Sequence, residues 1–350
     1  AGAIPFARTN LPDFGLRVHT ESQLHGLTVN PWNPAVTAGG SSGGEGSAIA
    51  SGMSPMGLGN DIGGSLRNPA HCCGISSIKP SAGVVPMATE IEPRDQLLSS
   101  QFMVVEGPMA RRVEDVRAGL EILAGPDIRD PRSLPVRLTD AAPGERMKVA
   151  VMAEPPAGTT DPDVAAAIRS VGDKLADAGH EVVEAAPPEM ERVMELWAAL
   201  LLADVRAQKE LLTMVMGDAG VQILDAFDEN QPPTQFPDNV LIHSDRFRLM
   251  REWSEFFADH PVLLAPVWSQ PAFEHGADLT MGSDGLTNCI RPVMPANMLG
   301  LPAAVTPAGM AGDLPVGVQV IGDRFTDLRC LTIAAEIESL VGVLTPIDPR

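Results

Sequence analysis

Apolar residues recur at helical spacing in several stretches of the middle and end of the chain. In RRVEDVRAGLEILAG (111–125), Val113, Val116, Leu120 and Leu123 stand three to four apart, and Gly125–Pro126 stops the run. A second helix is predicted from Asp161, an acid at the N-cap. Pro162 takes the first helical position, and DVAAAIRSVGDKLADAG follows, ending on Gly179. Residues 188–219 read as helical and rather apolar, with WAALLLADV inside. TDLRCLTIAAEIESLVG (326–342) reads as a closing amphipathic helix. Short apolar runs at 147–154, 180–185, 262–268 and 316–322 read as strands.

The succession strand 147–154, helix 161–179, strand 180–185 is a strand–helix–strand unit, which predicts an α/β fold. Residues 127–146 read as a loop and 226–242 as Pro-rich and irregular. Residues 1–90 are rich in Gly, Ser, Asn and Pro, with short apolar pieces between. No repeat, low-complexity tract or splitting linker is visible, so residues 1–350 are expected to form a single domain.

Composition narrows the chemistry. Apolar residues make up 44% of 350, enough for a sizeable core, but aromatics are only 4% and tyrosine is absent, so the core is aliphatic and no phenol serves as acid or base. The net charge of −20 is poor material for a nucleic-acid groove or an anionic membrane surface, both of which need clustered Lys and Arg. No apolar run reaches the length of a membrane span. The opening AGAIPFARTN has neither the basic nor the apolar region of a signal peptide. Cys72, Cys73, Cys289 and Cys330 fit no disulfide framework and no zinc spacing. Reduced cysteines, a cytoplasmic location and no metal are expected.

One stretch carries the chemistry: GGSSGGEGSAIASGMSPMGLGNDIGGSLRNPAHCCG, residues 39–74. It places two serines, Ser41 and Ser65, in glycine nests about two dozen residues apart. A flexible linker would be polar throughout, yet Ile49, Met53, Met56, Leu58, Ile62 and Leu66 interrupt it. A phosphate cradle would need a GxxxxGK[ST] or GxGxxG pattern, and neither occurs. A nucleophile site fits better. A serine attacking a carbonyl needs backbone N–H groups converging on the developing oxyanion, and glycines let the backbone aim them inward. Its weak point is the base, since the nearby His71 reads more simply as a packed residue.

These residues closely resemble the signature of the amidase signature family: GGSSGG, then a DxGGS[IL]RxP block, then CG…KP, in order and at the right interval. RTNLPDFGL (8–16), NPWNPAVTAGG (30–40), EGPMARRVEDV (106–116), GLPAAVTPAG (300–309) and LPVGVQVIG (314–322) resemble further landmarks, so the likeness spans essentially the whole chain. It is weakest across 188–260, where the family varies and shapes its substrate pocket.

The resemblance implies a large mixed twisted β-sheet covered by α-helices on both faces, and hydrolysis of a carboxylic amide through a Ser–cis-Ser–Lys triad without metal or organic cofactor. By position in the motif, Ser65 is the nucleophile and Ser41 the bridging serine after a cis peptide bond. Ile62, Gly63, Gly64 and Ser65 supply the oxyanion hole. Ser42, Asp61 and Arg67 support the loop, and Gly15 leaves room beside the substrate. Trp197, Leu200, Met214, Met216, Phe236, Trp268, Cys289 and Met294 are candidates for an apolar acyl pocket. The partner is a small-molecule amide, and a homodimer is an open expectation.

One part of the pattern is missing. The family's triad lysine lies well upstream of GGSSGG, whereas Lys79, Lys148, Lys174 and Lys209 all follow Ser41. Lys79 matches the KP element, whose lysine is not the base. An N-terminal truncation is the favoured expectation, with an inactive homologue as the alternative. A glutaminase-type subunit of a tRNA-dependent amidotransferase is a second functional reading. The GGEG after Ser42 and the −20 charge lean against it.

Overall fold

The computed structural model describes residues 2–87, 95–230 and 236–349. After a 3-10 turn at Asp13–Gly15 come a two-stranded ribbon, β1 (Glu21–Ser22) and β2 (Gly26–Leu27), and helix α1 (Gly43–Ala50). Then follow β3 (Met56–Asp61), α2 (Arg67–Cys73), β4 (Ser76–Lys79), α3 (Leu98–Met103), β5 (Val105–Ala110) and α4 (Val113–Leu123). The strand–helix–strand unit is β6 (Lys148–Val151), α5 (Pro162–Asp177) and β7 (Glu181–Glu184). Three long helices come next: α6 (Met190–Val215), α7 (Asp218–Asn230) and α8 (Phe236–Asp259). The chain ends with β8 (Val262–Pro266), α9 (Ala277–Thr280), α10 (Gly282–Ile290), α11 (Met294–Met298), β9 (Ala303–Ala311), β10 (Leu314–Ile321) and α12 (Asp327–Val341).

Eight of the described strands form one mixed sheet in the order β3-β5-β4-β9-β10-β8-β6-β7. The first five pairings are antiparallel, whereas β6 runs parallel to both β8 and β7. Central strands are buried on both faces, which is why they read as near-continuous apolar runs. In β8, Leu263 and Ala265 face one core and Val262 and Leu264 the other, following the two-residue period of a strand. Core residues of α4, α5 and α12 cover one face, and those of α6, α8 and α11 the other. This is the mixed, helix-covered sheet that the resemblance implies. All four cysteines are reduced and buried: Cys72 and Cys73 on α2, Cys289 on α10 and Cys330 on α12.

The helix read from Asp161 is capped as expected, with the Asp161 carboxylate accepting from the Asp163 and Val164 amides at 2.9 and 3.3 Å. The irregular reading of 226–242 does not hold for its described residues. Helix α7 continues to Asn230 and α8 starts at Phe236, while residues 231–235 of that reading lie outside the described ones. Pro237 falls in the first turn of α8, where no amide hydrogen is needed, so the proline there starts a helix. Leu249, Trp253 and Phe257 then repeat every fourth residue and are buried.

Candidate active site

Strand β3 delivers Asp61 to the end of the sheet, and the chain turns through Ile62–Leu66 into α2. Asp61 and Arg67 are both fully buried and form a two-pronged ion pair. Arg67 Nε donates to Asp61 Oδ2 and Nη2 to Oδ1, both at 2.9 Å. The free prong of Arg67 donates to the Val293 carbonyl at 2.9 Å and to Gln319 Oε1 at 3.0 Å. Asn297 Nδ2 donates to Asp61 Oδ1 at 3.0 Å and to the Asp61 carbonyl at 2.9 Å. Burial pushes the Asp61 carboxyl up, but Arg67, Lys79 and the Gly64 amide outweigh it and hold the group below the ordinary carboxylate range. A buried, ionised carboxylate thus anchors the turn. It accepts the amide of Gly64 at 2.8 Å and that of Leu66 at 3.2 Å.

That use of the Gly64 amide narrows the oxyanion donors expected from the motif. Gly64 N–H is spent on Asp61, which leaves the amides of Ile62, Gly63 and Ser65 for the role. The carbonyl of Ile62 accepts the indole N–H of Trp197 at 2.7 Å.

The second serine segment lies directly behind the turn. The Gly40–Ser41 peptide is cis. Thr20 Oγ1 clasps this loop, donating to the Gly39 carbonyl at 2.8 Å and accepting the Gly43 amide at 3.1 Å. The Ser42 amide donates to the Ser65 carbonyl at 3.2 Å, tying the two serine segments together. Gly40 has no room for a side chain, because a Cβ there would stand 2.6 Å from the His19 amide nitrogen. Gly15 packs against the Ser41 side chain, and a Cβ there would be 3.2 Å from Ser41 Oγ.

A cavity of about 450 Å³ opens in front of Ser65. Ile62, Gly63, Ser65 and Gly15 line it, whereas Ser41 lies buried just behind. Helix α6 supplies Met194, Trp197, Ala198 and Leu201, α7 supplies Ile223, and the α10–α11 region supplies Leu286, Ile290 and Met294. Its wall also holds the buried Arg17–Asp278 pair, bonded at 2.9 and 3.0 Å. Of the eight pocket candidates, Trp197 and Met294 line the cavity. Leu200, Met216, Trp268 and Cys289 are packed elsewhere in the core, and Met214 is 74% exposed. The Phe236 side chain lies outside the described residues. Apolar character alone did not separate core from cavity, since both faces of α6 carry it.

His71 takes the packed role. Its Nδ1 accepts the Gly317 amide at 3.0 Å and its Nε2 donates to the Gln270 carbonyl at 3.1 Å. Burial brings its pKa down to about 4. Among the described residues no lysine is hydrogen-bonded to Ser41 or Ser65. Lys79 is buried beneath the turn with Nζ on the Pro80 carbonyl at 2.8 Å, and burial, helped by Arg67, lowers it to about 7. Thr20, Asn297 and Gln319 escaped the sequence reading. For Gln319 there was a signal: it is the lone polar residue among Val316, Val318 and Val320.

The amidase family model matches residues 1–331. An indoleacetamide hydrolase of Bradyrhizobium japonicum is 37% identical over 98% of this chain and 75% of its own length. A glutamyl-tRNA(Gln) amidotransferase component of Deinococcus radiodurans is 32% identical over 98% of this chain and 76% of its own length. A bacterial aryl acylamidase of the amidase signature enzymes superposes with a TM-score of 0.78 at 26% identity, covering 97% of this chain and 72% of that one. Of the two sequence relatives, the hydrolase is the nearer. Both the family match and the hydrolase relative run through the serine turn and the cavity helices alike, and by them this chain belongs to the amidase family and is an amidohydrolase.

Proposed function

We propose that Ser65 is the nucleophile and that the substrate is a small amide with an apolar acyl group. The observation that carries this is the placement of Ser65 on the wall of a largely apolar cavity, with its carbonyl tied to the Ser41–Ser42 segment. Ser65 Oγ attacks the amide carbonyl as its proton passes to Ser41, whose own proton moves on to the base at the end of the relay. The oxyanion forms against the amides of Ile62, Gly63 and Ser65. Collapse breaks the C–N bond, the relay returns a proton to the departing ammonia or amine, and water then cleaves the acyl ester to free the acid and Ser65. Beyond Ser41 the family resemblance calls for a neutral lysine as final base, and no lysine of this sequence occupies that place. No step requires a metal or organic cofactor.

The region 188–260 sets specificity through α6 and α7, which wall the cavity. A volume of about 450 Å³ suits a small organic ligand. Arylacetamides are the first series to try, given the indoleacetamide hydrolase relative. Four unpaired, buried cysteines fit a reducing compartment, and we place the enzyme in the cytoplasm on that ground.

The test is a fluorophosphonate probe with the adduct mapped by mass spectrometry. An adduct on Ser65, lost in Ser65→Ala and slowed in Ser41→Ala, is the expected result. An adduct on another residue overturns the assignment, whereas no adduct is the outcome for a nucleophile that lacks its lysine base. Hydrolysis of glutamine in preference to an arylacetamide would instead favour the amidotransferase-type reading.

A further inference from the structure

We infer that Trp197, on α6, is a positioning residue that aims the Gly63 amide at the oxyanion. The inference rests on the proposed role of Ser65. Its indole Nε1 donates to the Ile62 carbonyl at 2.7 Å. The Ile62–Gly63 peptide is trans, so that carbonyl and the Gly63 N–H lie in one plane and point in opposite directions. Fixing the carbonyl on Trp197 therefore fixes the Gly63 N–H in the direction away from the indole. The next peptide plane is pinned as well, by Asp61 Oδ1 on the Gly64 amide at 2.8 Å. Two neighbouring planes of one turn are thus held by two different elements: Asp61 from the sheet and Trp197 from the helix that walls the cavity.

Packing reinforces the hydrogen bond. A Cβ on Gly63 would stand 2.6 Å from Trp197 Cζ2, so the indole lies flush on the turn and leaves it no space to rotate. Trp197 is also nearly buried, at 7% exposure, so water competes little for the Ile62 carbonyl. Because the ring lines the cavity too, one side chain couples the acyl pocket to the oxyanion donor. The apolar wall alone needs only the ring; the positioning needs the N–H.

Trp197→Phe keeps an aromatic ring and removes the donor. On the full chain, with an arylacetamide substrate, kcat is expected to fall about tenfold while KM stays within about twofold, since one well-aimed oxyanion donor is worth more than that when deleted outright. Replacing Trp197 by its benzothiophene analogue, which preserves the bicyclic shape, is expected to give the same loss. A raised KM with unchanged kcat in both variants would reduce Trp197 to a wall residue and overturn the inference. A readout independent of turnover is the crystal structure of Trp197→Phe. A rotated Ile62–Gly63 peptide supports the positioning role, and an unmoved one overturns it. If the unaltered chain neither hydrolyses the amide nor labels at Ser65, catalysis by this chain falls, and the peptide orientation in the variant still decides whether Trp197 holds the turn.

Discussion

At the scale of single residues, the serine turn depends on charges buried beneath it. Asp61→Asn would leave the Arg67 guanidinium buried without its carboxylate, and breaking such a pair costs about 3–5 kcal/mol. The expected outcome is a large drop in the urea midpoint together with loss of turnover, because the carboxamide keeps one oxygen and turns an NH2 toward the other amide, so Gly64 and Leu66 are no longer both accepted. Gly63→Ala is expected to abolish turnover with a smaller loss of stability, since its methyl group meets the Trp197 ring and displaces the turn. Kinetics and urea unfolding on both variants check this. His71 gives a pH signature. Its pKa is about 4 when folded and roughly 6.5 when unfolded. Between those values only the unfolded chain takes up a proton there, so the His71 contribution is complete above about pH 6.5 and is lost as pH falls toward 4. His71→Gln should flatten the slope of stability against pH in that window by about 1.4 kcal/mol per pH unit. Urea titrations of both proteins at pH 4, 5 and 6.5 measure the difference, which separates His71 from groups shared by both, such as the half-buried Glu106 carboxyl.

At the scale of elements, local rules work where local signals decide. Helix α5 has its cap, its first-position proline and its terminating glycine written in sequence, and it forms where they say. Asp161→Ala should cost about 1 kcal/mol in thermal unfolding and leave kcat unchanged, as the cap lies on the outer turn of the fold. Helix α8 was illegible because Pro237 and the Pro232–Pro233 pair before it outweighed the four-residue recurrence of Leu249, Trp253 and Phe257. The Gly-rich strand β3 was illegible for another reason. Gly57 and Gly59 have little β-propensity, and they are there because Glu45 and Ser42 occupy the space their side chains would fill. The two serines were legible from their glycine nests. The residues that hold them were not, since Asn297 and Gln319 reach the site from α11 and β10 far along the chain and Thr20 from the loop before β1.

At the scale of the whole molecule, the cavity is assembled from the 3-10 turn near the start, the serine turn, helices α6 and α7, and the α10–α11 region. A carboxylic acid product that fills it binds only the assembled protein, so it should raise the unfolding temperature in proportion to the logarithm of its concentration. The buried cysteines turn that coupling into something countable. None of the four thiols meets solvent in the folded protein, and burial pushes the thiols of Cys72, Cys73 and Cys330 further from the reactive thiolate form. Alkylation of each is therefore a clock for the opening of its own element: α2 behind the serine turn, α10 beside the cavity, α12 on the opposite face of the sheet. A bound acid should slow the clocks at Cys289 and Cys72 more than the one at Cys330, so that the order in which sulfurs are blocked maps how far the grip of a ligand extends through the protein.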